Sequence, residues 1–267
     1  MSIITSVFRP DHKALIAYVT AGYPDKKSTV KIAAALAEGG CDIIELGIPF
    51  SDPLADGATI QKASYEALQQ GITPQACLEI ATDIRKQIAT PLVFMTYYNP
   101  VLNYGLEAFC KACKKAGING LIVPDLPPEE GLELEAITDK NDLDLIYLLA
   151  PTSTDARIAT VAARSQGFIY LVSLTGVTGA RNTLSPELGS FVKRVRSKTT
   201  LPLCVGFGIS KIEHAVQAAA LADGAIIGSR LIQLIEEDNT LAGLKSFIAG
   251  LRQALNSSKN TGEVRNM

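Results

Sequence analysis

Short apolar runs alternate with longer amphipathic segments along the whole chain, the pattern of repeated βα units and a parallel sheet. Runs at 14–21, 42–48, 92–98, 120–123, 145–150, 168–174, 203–207 and 225–228, each bounded by turn residues, predict buried strands. Segments at 26–38, 74–87, 106–115, 128–140, 155–164, 186–196 and 211–221 predict helices. Thr73-Pro74 and Ser185-Pro186 read as an N-cap followed by proline at the first helical position, and Gly39 and Gly117 stand where helices should end. A weak repeat, EGGCDII at 38–44, AGINGLI at 116–122 and ADGAII at 222–227, joins helix ends to strands. Such self-similarity favours a closed array of equivalent units.

About eight such units in 267 residues fit an α/β chain folded as a single TIM (β/α)8 barrel. Every Pro/Gly cluster falls where a βα loop is expected, so the prediction is one catalytic domain over 1–255, with a short helix before residue 10 closing the barrel bottom. The polar end, 256–267, is expected to fray.

Composition narrows the classes of function. With 25 basic and 27 acidic residues, a net charge of -2 and no polybasic stripe, nucleic acid and anionic membrane are poor partners. No apolar run reaches the roughly 18 residues of a membrane span, and the first residues lack a signal peptide's features, so a cytoplasmic protein is expected. The five cysteines are odd in number and lie mostly in apolar segments; the one C-x-x-C, Cys110 and Cys113, has helical spacing and no second ligand pair, and reads as packing. Neither His12 nor His214 has a metal-like partner nearby, so a histidine-based zinc site is not expected.

The candidate chemistry centres on ELGIPFSDPLADG at 45–57. Glu45 lies inside an apolar strand and Asp56 on the loop leaving it, and two carboxyls in different environments can hold different protonation states at one pH. None of the eight strand runs contains a lysine or arginine. A Glu45 pointing into the barrel therefore lacks an obvious cation, and desolvation should raise its pKa. Alternation puts Ile43, Glu45 and Gly47 on one face and Ile44, Leu46 and Ile48 on the other, without deciding which is inward. Asp52 and Asp56 also suggest a metal loop, weakened by two prolines and the lack of a third oxygen-rich position.

Glycines cluster in three consecutive loops of the last third: GVTG at 176–179, GFGIS at 206–210 and Gly228-Ser229. In a barrel of this kind the loops after strands seven and eight are the usual phosphate seat, and a helix N-terminus after strand eight adds its dipole. The long segment 176–189 suggests a lid over a phosphorylated ligand or a flexible loop, with Arg181 either at the phosphate or solvated. Tyr97, Tyr98 and Tyr170, near strand ends, either wall a flat aromatic substrate or fill the core.

Together ELGIPFSDPLADG, MTYYNP at 95–100, PDLPPEE at 124–130, YLVS at 170–173 with GVTG, and GFGIS closely resemble the tryptophan synthase alpha subunit family, in order from about residue 3 to 255. The resemblance implies a lyase that cleaves indole-3-glycerol phosphate by a retro-aldol reaction to indole and glyceraldehyde 3-phosphate. By position it implies Glu45 as the acid/base residue and Asp56 as the aspartate engaging the indole N–H. It further implies Tyr97 and Tyr170 around the indole, Thr178 as a lid threonine steadying the aspartate, and Gly179, Gly208, Gly228 and Ser229 at the phosphate. Asp52, Pro53 and Asp125 would face a beta subunit in an alpha2beta2 tetramer, the pyridoxal phosphate belonging to that subunit and no cofactor to this chain. One departure is Arg230, where many relatives have a small residue. The rival readings are a phosphosugar isomerase of the same fold and a non-catalytic subunit that binds a phosphorylated ligand. The pair Glu45 and Asp56 argues against the latter, since a binding module gains little from an unpaired buried acid.

Overall fold

A computed structural model describes residues 2–173, 187–206 and 208–257. Its sheet contains β1 (Ala14–Thr20), β2 (Ile43–Gly47), β3 (Leu92–Met95), β4 (Gly120–Ile122), β5 (Asp144–Ile146), β6 (Leu148–Leu149), β7 (Ile169–Val172), β8 (Leu203–Gly206) and β9 (Gly224–Ile227). The order is β5-β4-β3-β2-β1-β9-β8-β7-β6, parallel throughout. The two ends of this order, β5 and β6, are halves of one run interrupted at Tyr147. One half pairs with β4 and the other with β7, and the Tyr170 N–H donates to the Tyr147 carbonyl at 3.0 Å. The sheet thereby closes, and nine segments make an eight-stranded barrel.

Around it lie α1 (Lys26–Glu38), α2 (Ala58–Gln69), α3 (Pro74–Arg85), α4 (Tyr98–Tyr104), α5 (Leu106–Ala116), α6 (Leu132–Lys140), α7 (Asp155–Arg164), α8 (Glu187–Arg196), α9 (Ile212–Leu221), α10 (Ser229–Glu237) and α11 (Ala242–Ser257). Because both faces of each strand are covered, the strands are almost wholly buried. Local signals act as expected at Thr73, whose hydroxyl caps α3 through the Ala76 N–H, and at Gly117, whose φ of 81° ends α5. After α1 the left-handed residue is Gly40 (φ 93°) and not Gly39, which stays helical. The expected cap at Ser185-Pro186 lies outside the described residues.

Three departures from the sequence reading have physical causes. The apolar run at 92–98 is strand only to Met95; α4 begins at Tyr98, whose N–H is taken by Asp125 Oδ1 at 2.9 Å. The sequence assigned no element to α2, which buries only Ala63, Ser64 and Ala67, a small-residue face that leaves no apolar period. The helix expected over 128–140 opens as a separate 3-10 turn, Pro128–Glu130, before α6.

At the barrel bottom the 3-10 turn Thr5–Val7 follows Ile4, which is fully buried, and Ser2 Oγ donates to Asp144 Oδ2 at 2.5 Å. On α5 Leu106, Phe109, Cys110, Cys113 and Ala116 form one buried face, so the C-x-x-C is packing, and all five cysteines are free and buried. His12 pairs with Asp42 at 2.7 Å, and Arg252 of α11 reaches the same carboxylate at 3.3 Å. No grouping of metal-binding side chains occurs among the described residues, and none of their helices is long and apolar enough to cross a membrane.

Candidate active site

The orientation that alternation left open is settled at β2. Glu45 lies opposite Tyr18 of β1 and Val93 of β3, and its carboxyl lines a cavity at the C-terminal mouth together with Tyr18, Asp56, Ile60, Met95 and Tyr170. Ile43, Glu45 and Gly47 therefore face inward. Glu45 is 1% exposed and its Oε2 has no partner. Burial first, and the neighbouring Asp56 second, push its pKa up to about 8. Among the described residues no cation offsets this burial, and the strands around Glu45 carry no lysine or arginine.

Asp56 reaches the same cavity from the loop between β2 and α2. Turn hydrogen bonds shape that loop: Leu54 N–H to the Asp52 carbonyl at 2.9 Å and Asp56 N–H to the Pro53 carbonyl at 3.0 Å. Asp56 is half-buried, so desolvation raises its pKa to about 6 while the Tyr97 hydroxyl pulls it down. Near pH 7 the two carboxyls then differ, with Glu45 mostly protonated and Asp56 mostly ionised.

Two tyrosines shape the inner wall by lying over glycines. A Cβ on Gly47 would stand 2.1 Å from the Tyr18 hydroxyl oxygen, and one on Gly206 would stand 2.3 Å from that of Tyr170. Each ring thus occupies the side-chain space of the next strand's glycine. Gly47→Ala should displace Tyr18, costing about 1–3 kcal/mol and lowering the thermal midpoint by roughly 3–8 °C. A melting curve superimposable on that of the parent would refute this packing.

The glycine clusters meet the carboxyls across the same cavity: Gly208, Ser210, Gly228 and Ser229 line it with Glu45 and Asp56. Gly208 has φ 73°, and Gly228 is the N-cap of α10. The first turn of α10 is closed by Leu231 and Ile232 donating to the Gly228 carbonyl, so the Ser229 and Arg230 N–H groups have no helical acceptor and can receive an anion. Arg230 leaves that anion seat open, since its guanidinium runs along α10 to Glu237 at 2.8 Å.

Tyr170 lines the cavity, but Tyr97 stands behind Asp56 and does not. Tyr98 belongs to α4, and Asp125 is exposed. Asp52 is exposed, Pro53 half-buried and Leu54 94% exposed. Thr178 and Gly179, with Arg181 and most of the 176–189 segment, lie outside the described residues. Sequence reasoning assigned no role to Tyr18, Met95, Ile60 and Ile226, which also line the cavity. Tyr18 reads as one more apolar strand residue, and only the register opposite Glu45 could have singled it out.

Comparison with known proteins is consistent along the chain. The family model described as tryptophan synthase alpha chain matches residues 5–259. The tryptophan synthase alpha chain of Dehalococcoides mccartyi is 54% identical over 255 residues, covering 96% of this chain and 100% of that relative. That of Roseiflexus sp. is 52% identical over 243 residues, covering 90% and 93%. Among solved structures, tryptophan synthase subunit alpha from Legionella pneumophila superimposes with a TM-score of 0.89 at 35% identity, covering 96% of this chain and 99% of that one. A chain of tryptophan synthase from M. tuberculosis gives 0.86 at 37% identity, covering 95% and 97%. With its barrel, its paired carboxyls and matches of this extent, the chain belongs to the tryptophan synthase alpha-chain family, lyases that cleave indole-3-glycerol phosphate in tryptophan biosynthesis.

Proposed function

We propose that Glu45 and Asp56 carry the cleavage, within a single catalytic barrel of residues 1–255. The observation behind this assignment is the pair of carboxyls, Glu45 fully buried without a partner at Oε2 and Asp56 half-buried, lining one cavity that also holds a helix N-terminus. Neutral Glu45 gives its proton to indole C3, and the positive charge that develops on the indole nitrogen is stabilised by ionised Asp56. Glu45, now a carboxylate, takes the proton of the hydroxyl next to the bond to be broken. The C–C electron pair returns to the ring, giving indole and the aldehyde of glyceraldehyde 3-phosphate, and Glu45 is protonated again.

Gly208, Gly228 and Ser229 bind the phosphate, whose remote binding energy fixes the pose; Gly179 and Thr178 join them by their position in the family motif. Tyr170 flanks the indole. No cofactor is needed, because Glu45 moves both protons and Asp56 stabilises the charge between the two transfers. An isomerase would use the same phosphate seat, but an anionic second carboxyl beside a protonated one suits an indole nitrogen gaining positive charge.

The partner in this proposal is a beta subunit in an alpha2beta2 tetramer, carrying the pyridoxal phosphate, in the cytoplasm. Asp52, Pro53 and Asp125 face it, in company with the exposed Leu54 and Leu102, an apolar presence at the mouth that suits a protein surface. The test is indole release from indole-3-glycerol phosphate, slow for the chain alone and faster with the beta subunit, with glycerol phosphate raising the apparent KM. No indole from either preparation would overturn the reading.

A further inference from the structure

Tyr97 is buried, yet its hydroxyl is not part of the cavity wall. The ring is fixed by stacking on Phe50, with centroids 5.2 Å apart and planes 29° apart. Its backbone is fixed next door, where Asp125 accepts the Tyr98 N–H at 2.9 Å. The hydroxyl oxygen accepts the Ala55 N–H at 2.9 Å, one residue before Asp56, and the hydroxyl lowers the pKa of the Asp56 carboxyl against the upward push of burial. A phenol has one proton to give. With the Ala55 N–H on its oxygen, that proton remains available to the carboxyl of Asp56, the next residue of the loop. Asp56 Oδ1 is buried without a partner.

We infer that Tyr97 is a positioning residue for Asp56: its hydroxyl holds the loop at Ala55 and so sets where the carboxyl of the next residue stands, with Oδ1 unpartnered and open to the substrate's N–H. This rests on the role proposed above for Asp56, and it moves Tyr97 from the indole wall to the support of the acid. A donor to the charged form favours ionisation, which places the hydroxyl's effect in the range where Asp56 would otherwise take up a proton. The other titratable groups that act on Asp56 among the described residues are Glu45 from β2, Tyr18 from β1 and Tyr170 from β7. Glu45 titrates on the opposite limb, and the tyrosines are pushed up by burial.

The test compares kcat/KM for indole release by the full chain with its beta subunit, from about pH 5 to 9, in Tyr97→Phe, Asp56→Asn and the double variant. Phenylalanine keeps the stack on Phe50 and removes only the hydroxyl. Tyr97→Phe should lose about tenfold below the acid limb and only a few-fold above it, the limb moving to higher pH by about half a unit to one unit. The double variant should be no slower than Asp56→Asn, within about twofold. An unmoved acid limb, or a Tyr97→Phe loss that adds in full to that of Asp56→Asn, would overturn the inference while leaving Asp56 in its role. Parental activity in Asp56→Asn would instead overturn that role, and the inference with it.

Discussion

Glu45→Gln is expected to slow indole release by roughly 10³-fold and, at the same time, to make the protein more stable in mild alkali. The activity loss follows from geometry: glutamine fills the same space on β2 but can neither deliver a proton to indole C3 nor accept one from the hydroxyl. The stability gain follows from linkage. In the folded chain the carboxyl is pushed up to about 8, against 4.5 for an ordinary glutamate, by burial above all. The folded state therefore binds the proton more tightly than the unfolded chain does. Its contribution to stability is complete below about pH 4.5 and is lost as pH rises through 8. Glutamine has no proton to lose, so the variant should exceed the parent by on the order of 3 kcal/mol near pH 9 and match it near pH 4. Urea unfolding at the two pH values measures this difference. Equal stabilities at pH 9 would mean that Glu45 is solvated or paired, and the acid/base role would lose its physical basis.

Asp56→Asn is the second large effect, with a loss of about 10²–10³ in kcat. Asparagine preserves the shape and leaves the Ala55–Tyr97 hydrogen bond of the loop in place, but it has no negative charge to set against the positive indole nitrogen. The pH profile separates this cause from simple misfolding. For the parent, kcat/KM should be bell-shaped, with the ionised form of Asp56 required above about 6 and the protonated form of Glu45 below about 8. In Asp56→Asn the acid limb should vanish while the basic limb stays, because only one titrating carboxyl is left. A residual bell with both limbs in place would assign the acid limb to another group. The two carboxyls interact across the cavity, so each limb belongs to the pair as well as to the residue named.

These effects depend on carboxyls that are legible in the amino-acid sequence itself. Glu45 stands out because a charge inside an apolar run, in a chain whose strand runs lack lysine and arginine, has few structural explanations. The glycine clusters of the last third are legible as an anion seat for a similar reason, since backbone approach to an anion demands residues without a side chain. By contrast, Tyr18 and the exchange of places between its ring and Gly47 leave no local mark. A tyrosine in a strand and a glycine two strand positions beyond Glu45 are ordinary features until strand register brings them together. Tyr97 shows the same limit. Its place near a strand end suggests a substrate wall, and the loop that folds back onto its hydroxyl makes it a support for Asp56 instead.

The alternation of strand and helix, the count of eight units, the absence of cations from the strand runs and the residue types of the site are properties of the one-dimensional pattern, legible before any fold is known. What that pattern could not determine is which face of β2 turns inward, how the run broken at Tyr147 closes the barrel, and that the Tyr97 hydroxyl holds the loop beside Asp56. Each of these depends on contacts between residues far apart in the chain. A strand's two faces become different only when neighbours on both sides are in register, and a carboxyl's pKa responds to that environment and not to its neighbours in sequence.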